Sequence, residues 1–223
     1  MYTYAFINWP VISLSLPLGI ENELEIVHSG AIGAIVEQGI AFDHLQIDDE
    51  LLLRAALEHD RVVCELFSKT TLLPLRFGTR FLTKEGLAAH LEEHADTYLE
   101  KLRNLKGKAE YTLKLIPIEL PPELPLPETS GREYFFAKKK RLEEQQAHQE
   151  LQVSELENLL ICIADLADDL KVAEPQDSGI QRIHFLAERN LIVNIDAYLQ
   201  GWQGDCATWT IELERDLPPY HFV

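Results

Sequence analysis

Residues 117–131 read PIELPPELPLPETSG, with five prolines among the first eleven positions. A proline-rich segment is extended and semi-rigid, and it commonly serves as a spacer between domains. A chain of 223 residues is long enough for two small domains. The segment therefore predicts an N-terminal domain over residues 1–118, a linker over 119–130 and a C-terminal domain over 131–223.

The chain after this segment begins with a long helical region. Residues 132–170 contain neither proline nor glycine and are rich in Glu, Gln, Lys, Leu and Ala. From Leu151 onward the apolar residues recur at helical spacing, whereas residues 138–149 are nearly all polar. We therefore expect one helix over 131–170 whose polar part is either exposed or docked on a partner.

Two strands and a short helix are expected after the long helix. Residues 180–188 place Ile183 and Phe185 in alternation with Arg182 and His184, and residues 207–213 alternate in the same way. Alternation with a period of two is typical of a half-buried strand. A short helix over 191–199, ending near Gly201, is expected between these strands.

The chain before the proline-rich segment mixes strands and helices. Strands are expected over Tyr2–Ile7, over Glu23–His28 and over Ala31–Gln38, with a hairpin turn at Ser29–Gly30. A helix is expected to begin at Asp48, where acids complement the helix dipole. An irregular edge strand should follow over Thr71–Phe81, since Pro74 and Gly78 interrupt it.

A second helix of this first half is predicted from Thr83, which can cap it, to the stop signal at Gly107. A strand over Ala109–Ile116 then leads into the proline-rich segment. The two halves together predict an α+β protein, and no repeat with a fixed period is present.

The charge excludes two classes of partner. Acidic residues number 37 and basic residues 20, so the formal net charge is −17. A chain this acidic repels the phosphates of nucleic acid and anionic membrane surfaces. No apolar run approaches the roughly 20 residues of a membrane span, and the N-terminus lacks the basic region of a secretory signal.

The cysteines argue against a disulfide framework. Cys64, Cys162 and Cys206 are odd in number and widely separated, and they form no C-x-x-C pair. Such use of cysteine suits a reducing cytoplasm and indicates no cysteine zinc site. No cofactor is predicted.

One short motif resembles a metalloprotease signature. His90-Leu91-Glu92-Glu93-His94 matches H-x-x-E-H, in which two imidazoles four residues apart on a helix can bind one zinc ion. No third ligand follows from the spacing. The commoner interpretation is a helix surface that happens to carry two histidines, but a metal-dependent hydrolase using His90, Glu93 and His94 stays open as an alternative.

Three further segments suggest contacts rather than chemistry. Arg76 lies in the apolar stretch Leu72–Thr79, where a buried guanidinium would need a carboxylate or carbonyl partner. The C-terminus Pro218–Val223 is aromatic and proline-rich, so it either folds back onto the protein or docks on a partner. The basic run Lys138–Arg141 either lies on a solvated helix face or binds an acidic partner surface.

Four stretches together resemble the gas vesicle protein F/L family. They are the opening Tyr2-Thr3-Tyr4-Ala5-Phe6, the block Leu73-Pro74-Leu75-Arg76-Phe77-Gly78-Thr79, the helix start Gly131-Arg132 with Lys138-Lys139 downstream, and the closing Pro218-Pro219-Tyr220-His221-Phe222. Their order and spacing agree along the whole chain. The block Leu73–Thr79 is the most specific of the four.

The resemblance implies a two-domain α+β fold with a ferredoxin-like C-terminal domain extended by helices. It also implies a non-enzymatic accessory or minor structural protein of gas vesicles, located on the vesicle and in the cytoplasm. The implied partners are the small hydrophobic shell protein and other gas vesicle accessory proteins. A small-molecule-binding regulatory module remains a further alternative from fold analogy alone.

The contact residues for this role are expected among the segments that carry the resemblance. Exposed aromatic and cationic side chains are the groups most suited to docking on a partner. The predicted set is Arg76, Phe77, Arg132, Tyr134, Tyr220 and Phe222.

Overall fold

The computed structural model describes residues 1–11, 13–40, 48–121, 131–175, 178–190 and 195–223. Within these residues the chain forms eight strands and five helices, which confirms the predicted α+β class. The strands form two four-stranded sheets. The chain divides into two compact units, the first made of residues 1–110 with 216–223 and the second of residues 111–215.

The first sheet contains β1 (Tyr2–Asn8), β2 (Leu24–Ser29), β3 (Ile32–Glu37) and β4 (Leu72–Pro74), in the order β2-β3-β1-β4. All neighbouring strands are antiparallel. β2 and β3 form the predicted hairpin, whose turn at Gly30 has a φ of +55°, a value that favours glycine. β4 is an edge strand as predicted, which suits Pro74 because proline cannot donate to a sheet ladder.

Three helices accompany this sheet: α1 (Asp49–Phe67), α2 (Lys84–Glu93) and α3 (Ala95–Leu105). Asp48 and Thr83 cap α1 and α2, because their side chains accept hydrogen bonds from the first-turn amides of Glu50 and Gly86. Leucines of α2 and α3 and valines of α1 fill the core against β1 and β3.

The prediction of a single helix from Thr83 to Gly107 is wrong, since the helix breaks at His94 into α2 and α3. Neither proline nor glycine marks the break. The His94 ring packs against His90 and Tyr98, with ring centroids 4.4 and 5.8 Å away. The Nδ1 of His94 also lies 3.0 Å from the carbonyl oxygen of His90.

The second sheet and its two helices come from β5 (Lys108–Pro117), α4 (Arg132–Ala164), β6 (Asp169–Val172), β7 (Gln181–Glu188), α5 (Ile195–Asp205) and β8 (Trp209–Leu217). The order along the chain is βαββαβ, and the order in the sheet is β6-β7-β5-β8. This is the ferredoxin-like topology that the family resemblance implied.

Two helix limits differ from the predictions. The helix expected to reach Leu170 ends at Ala164, and Leu170 lies in β6, where it pairs with Phe185 of β7. The short helix runs through Gly201 to Asp205, beyond the end predicted for it, while its predicted start at Leu191 lies outside the described residues. In both cases packing against the sheet outweighs the local helix propensity.

The alternation of buried and exposed residues predicted for two strands of this sheet is present in one of them. β8 alternates as predicted, with Trp209 and Ile211 buried against exposed Thr210 and Glu212. β7 does not alternate, because Ile183 through Ala187 are all buried. His184 is buried, and a contact of its Nδ1 with the hydroxyl of Thr112 on β5, at 2.9 Å, satisfies this ring nitrogen.

The strand predicted over Ala109–Ile116 is present as β5, and it belongs to the second sheet. The last eight residues belong to the first unit. The domain limits at residues 118 and 131 stay a prediction, and the linker residues 122–130 lie outside the described part of the chain. No helix within the described residues is long and apolar enough to cross a membrane.

Candidate functional site

A buried histidine links the chain start to the block Leu73–Thr79 in the first unit. Nε2 of His59, on α1, lies 3.1 Å from the carbonyl oxygen of Leu75, and its Nδ1 lies 2.8 Å from the hydroxyl of Tyr2. A carbonyl oxygen can only accept, so Nε2 carries the proton and Nδ1 accepts from Tyr2. The Tyr2 oxygen in turn accepts from the amide of Gly78 at 3.2 Å.

Backbone hydrogen bonds fix the rest of this block, which we call the Arg76 turn (residues 75–79). The amide of Leu75 donates to the carbonyl of Tyr4 at 2.9 Å, and the amide of Thr3 donates to the carbonyl of Thr79 at 3.0 Å. The amide and hydroxyl of Thr79 both donate to the carbonyl of Arg76. Two of the stretches that carry the family resemblance therefore form one hydrogen-bonded element.

The Arg76 side chain is exposed at the tip of this turn. The expectation of a buried guanidinium with a carboxylate or carbonyl partner is therefore wrong, because the turn directs the side chain to solvent. Phe77 is half-buried, and its ring centroid lies 5.8 Å from that of His59 and 6.2 Å from that of Tyr2. The network thus presents an exposed cation beside an anchored aromatic ring.

Burial changes the acid–base properties of this network. It lowers the pKa of His59, so the imidazole is held neutral, and it raises the pKa of Tyr2 to about 12. A neutral imidazole satisfies both hydrogen bonds, with Nε2 as donor and Nδ1 as acceptor.

We expect His59 to make the first unit less stable in acid. Its folded pKa lies below the unfolded value of about 6.5, so the unfolded chain binds the proton first as the pH falls. Stability is therefore retained above that pH and declines below it. The free energy of unfolding, measured by urea at pH 7.5 and 5.0, should fall less between these values in His59→Gln than in the parent chain.

The exposed His28 provides the matched control for this pH dependence. His28→Gln should leave the decline in stability between the two pH values as it is in the parent. An equal decline in His59→Gln and the parent would contradict the role given to His59.

A second buried group, Glu37 at the end of β3, organises residues 19–22. Its Oε2 accepts from the Tyr4 hydroxyl at 2.5 Å and from the amide of Ile20 at 2.8 Å. Its Oε1 accepts from the amides of Glu21 and Asn22 at 2.8 and 2.6 Å. Burial and the bond to Glu37 raise the pKa of Tyr4, which keeps the phenol protonated as the donor.

The C-terminal segment folds back onto the first unit, which decides between the two alternatives for it. Pro218 and Pro219 are buried, and the Tyr220 hydroxyl donates to the Asp60 carboxylate on α1 at 2.7 Å. Burial and this carboxylate raise the pKa of Tyr220. His221 is held by Glu110, with the backbone amide and Nδ1 at 2.9 and 2.6 Å from its oxygens.

The first unit therefore holds four of the six predicted contact residues. Phe77 packs on His59 and Tyr220 binds Asp60, so the Arg76 turn and the C-terminal segment contact neighbouring positions of α1. Phe222 is half-buried in the same segment. Arg132 and Tyr134 belong to the second unit.

The start of α4 forms an exposed helical arm, which we define as residues 132–142. Tyr134, Phe135 and Phe136 are 41%, 67% and 54% exposed. The guanidinium of Arg132 lies 5.4 Å from the ring centroid of Phe136, a cation–π distance. The arm thus combines exposed aromatic rings with the basic run Lys138–Arg141.

The two histidines of the H-x-x-E-H motif have other partners. His90 Nε2 lies 2.7 Å from the Tyr98 hydroxyl, and His94 Nδ1 lies 3.0 Å from the carbonyl oxygen of His90. His94 sits at the break between α2 and α3 rather than inside one helix. Among the described residues no third ligand joins these two in a metal-binding arrangement.

The contacts of Glu37 and His59 could not be predicted from the sequence, and Phe135 and Phe136 were not among the predicted contact residues. Helical spacing places His59 on an apolar face of α1, but its partner Tyr2 is 57 residues away, and the Tyr4 hydroxyl that binds Glu37 is 33 residues away. Phe135 and Phe136 could have been noticed, since three consecutive aromatic residues are unusual in an otherwise polar helix.

Comparison with known proteins gives matches along the whole chain. A family model described as "Gas vesicle synthesis protein GvpL/GvpF" matches residues 1–223. Gas vesicle protein F of Streptomyces sp. (strain CB03234) is 28% identical over 184 residues, which cover 76% of this chain and 77% of that protein.

Two crystal structures share the fold. GvpF from Anabaena sp. PCC7120 aligns with a TM-score of 0.71 at 15% identity, covering 99% of this chain and 94% of that one. GvpF from Microcystis aeruginosa aligns with a TM-score of 0.69 at 14% identity, covering 99% and 97%.

Proposed function

The chain belongs to the gas vesicle synthesis protein GvpL/GvpF family, and from this premise we propose that it binds the small hydrophobic gas vesicle shell protein and promotes vesicle nucleation and assembly. The family consists of gas vesicle structural and accessory proteins and is not known for enzymes. In this proposal the protein acts on the vesicle and in the cytoplasm, together with other gas vesicle accessory proteins.

The observation that carries shell-protein binding is the exposed helical arm. An exposed aromatic cluster marks a protein interaction surface, because such side chains are normally buried. Aromatic rings provide apolar contact area for a hydrophobic partner, and the adjacent cations keep the arm hydrated until it docks. The net charge of −17 would further keep a complex with an aggregation-prone partner in solution.

The proposed contact residues divide according to their accessibility. Arg76, Arg132 and Tyr134 are exposed and are suited to direct contact. Phe77, Tyr220 and Phe222 are half-buried and contribute their exposed edges, while their packing keeps the Arg76 turn and the C-terminal segment in place. Substitution of the exposed three therefore tests binding with little effect on folding.

The triple variant Arg76→Ala/Arg132→Ala/Tyr134→Ala should retain no more than about a tenth of the shell protein that the parent chain retains. The reason is that Arg and Tyr are among the side chains that most often dominate the binding energy of an interface. The measurement is a pull-down after co-expression of the chain with the shell protein, with an unrelated acidic protein of similar size as the background. Circular dichroism establishes that the variant is folded.

The matched control is Arg54→Ala/Arg103→Ala, which removes two exposed arginines elsewhere. It should retain shell protein as the parent does. Full retention by the Arg76/Arg132/Tyr134 variant would exclude these contact residues, and absence of any retention by the parent would exclude shell-protein binding itself.

Neither alternative function gains a supporting observation. The family assignment overturns the metal-dependent hydrolase, and His90 and His94 are engaged with Tyr98 and a backbone carbonyl. The small-molecule-binding regulatory module stays a prediction from fold analogy.

A further inference from the structure

A groove lies between the C-terminal part of α4 and α5 in the second unit. Its cavity volume is about 610 Å³, which is within the range of ligand-binding sites. Leu166, Ala197 and Trp202 provide apolar lining, and Tyr198 lies at its edge. Asp165 and Asp205 add two exposed carboxylates.

The chemistry of the groove suits a cationic side chain with apolar neighbours. The rings of Tyr198 and Trp202 stack with centroids 5.9 Å apart, and Trp202 is supported by the edge of Phe185 at 6.4 Å. Among the described residues that line the groove none is basic. Carboxylates beside an aromatic face attract an ammonium or guanidinium group.

The helical arm presents the complementary side chains. Phe135, Lys139 and Leu142 are spaced four and three residues apart, so they lie on one face of α4. Phe135 and Leu142 are 67% and 55% exposed, and Lys139 makes one surface ion pair, at 3.5 Å to Glu143. This stripe therefore consists of a cation between two exposed apolar side chains.

The stripe of one molecule cannot occupy its own groove. Phe135 and Cys162, which lines the groove, belong to the same continuous helix and are 27 residues apart. At 1.5 Å per residue they are separated by about 40 Å. Only a second molecule can bring the stripe to the groove.

We infer that the chain self-associates head to tail, with the stripe Phe135-Lys139-Leu142 of one copy docked in the α4–α5 groove of a second copy. The Lys139 ammonium lies between the carboxylates of Asp165 and Asp205, and Phe135 and Leu142 cover the apolar lining. The two surfaces differ, so each added copy leaves one stripe and one groove free for the next. This inference goes beyond shell-protein binding and does not depend on it.

Sedimentation equilibrium of the purified full-length chain tests the inference without any shell protein. We expect a dissociation constant of roughly 10–100 µM. The stripe variant Phe135→Ser/Lys139→Gln and the groove variant Asp165→Asn/Asp205→Asn should each associate at least about tenfold more weakly. All four positions are exposed, so both variants should fold.

Mixing the two variants is the decisive step. The stripe variant still has an intact groove, and the groove variant still has an intact stripe. An equimolar mixture should therefore form dimers of one copy of each variant and no larger species. The control variants are Leu57→Ser/Arg54→Gln, which removes an exposed apolar and cationic pair on α1, and Glu150→Gln/Glu157→Gln, which neutralises two exposed acids of α4 outside the groove. Both controls should associate as the parent does.

The thiol of Cys162 is exposed and lines the groove. Its rate of reaction with a thiol-labelling reagent therefore measures whether the groove is occupied. Burial raises the pKa of Cys64 and of Cys206 to about 11, so these thiols react slowly at neutral pH. Labelling of Cys162 should slow as the parent concentration rises and in the mixture of variants. It should keep a constant rate in either variant alone.

Three association results would each overturn the inference. They are a parent chain that stays monomeric up to about 500 µM, parent-like association of both variants, and a mixture that remains monomeric. Concentration-independent labelling of Cys162 in an associating parent would also overturn it, because association would then use another surface.

Discussion

Replacing Glu37 by alanine should lower the stability of the first unit by roughly 3–5 kcal/mol, the largest effect expected of any single substitution in this chain. The carboxylate is fully buried and accepts four hydrogen bonds, three of them from the consecutive backbone amides of residues 20–22. Alanine removes the acceptor of the amides of Glu21 and Asn22 and of the Tyr4 hydroxyl, whereas the Ile20 amide keeps its contact with the Tyr4 oxygen at 3.1 Å. Tyr4 is fully buried, and an unsatisfied buried donor costs more than the net contribution of the bond it loses.

Hydrogen exchange read by mass spectrometry is the suitable measurement, because it follows the two units separately. Peptides from β1 and β3 should lose protection in Glu37→Ala, while peptides from β7 should keep theirs. Glu37→Gln should have an intermediate effect, since one of its two oxygens becomes an amide nitrogen facing the donors. The control is Glu23→Ala, at an exposed position, which should leave the protection of β1 and β3 unchanged. A decrease of less than about 1 kcal/mol in the free energy of unfolding of Glu37→Ala would contradict this account.

The elements that were predicted correctly carry their own local signals. Asp48 and Thr83 mark the starts of α1 and α2, Gly30 marks the hairpin turn, and the alternation of β8 marks its buried face. Each signal acts within a few residues, so the sequence alone is sufficient to find it.

The elements that were predicted wrongly depend on distant partners. β6 has one half-buried residue and three exposed ones, and it is a strand because it pairs with β7. The break at His94 is marked by neither proline nor glycine. β5 was predicted as a strand, but its sheet partners β7 and β8 come much later in the chain. No window of local sequence contains this information.

The candidate site shows the same division. The family resemblance identified the chain start and the block Leu73–Thr79 separately, but not that Tyr2, His59 and Gly78 connect them. The apolar residues on either side of Arg76 suggested that its side chain is buried, whereas the turn exposes it. The residue types were visible in the sequence, and their contacts required the fold.

The second large effect is expected in the second unit, at Glu155. This buried acid of α4 accepts from the amides of Ala207 and Thr208, both at 3.0 Å, and from the Thr208 hydroxyl at 2.5 Å. It therefore fixes the start of β8 to the long helix. Glu155→Ala should lower the stability of the second unit by about 2–4 kcal/mol, since two amides and a hydroxyl lose their acceptor.

A cysteine next to this contact provides the readout. Cys206 is buried, and burial raises its pKa to about 11, so the thiol is protected in the parent chain. Loss of the Glu155 contacts frees the segment that carries it, and its labelling at neutral pH should become faster. Hydrogen exchange in β8 should increase in parallel, while β1 should stay protected.

Exposed Glu157, two residues further along α4, is the matched control, and Glu157→Ala should leave both readouts at the parent level. Equal labelling of Cys206 in Glu155→Ala and the parent would mean that other contacts hold the segment. The candidates are the Gln203 side chain, which donates to the Trp209 carbonyl at 2.7 Å, and the Trp209 indole, which donates to the Gln152 carbonyl at 3.2 Å. Because these two contacts remain in the variant, local loosening rather than global unfolding is the expected outcome.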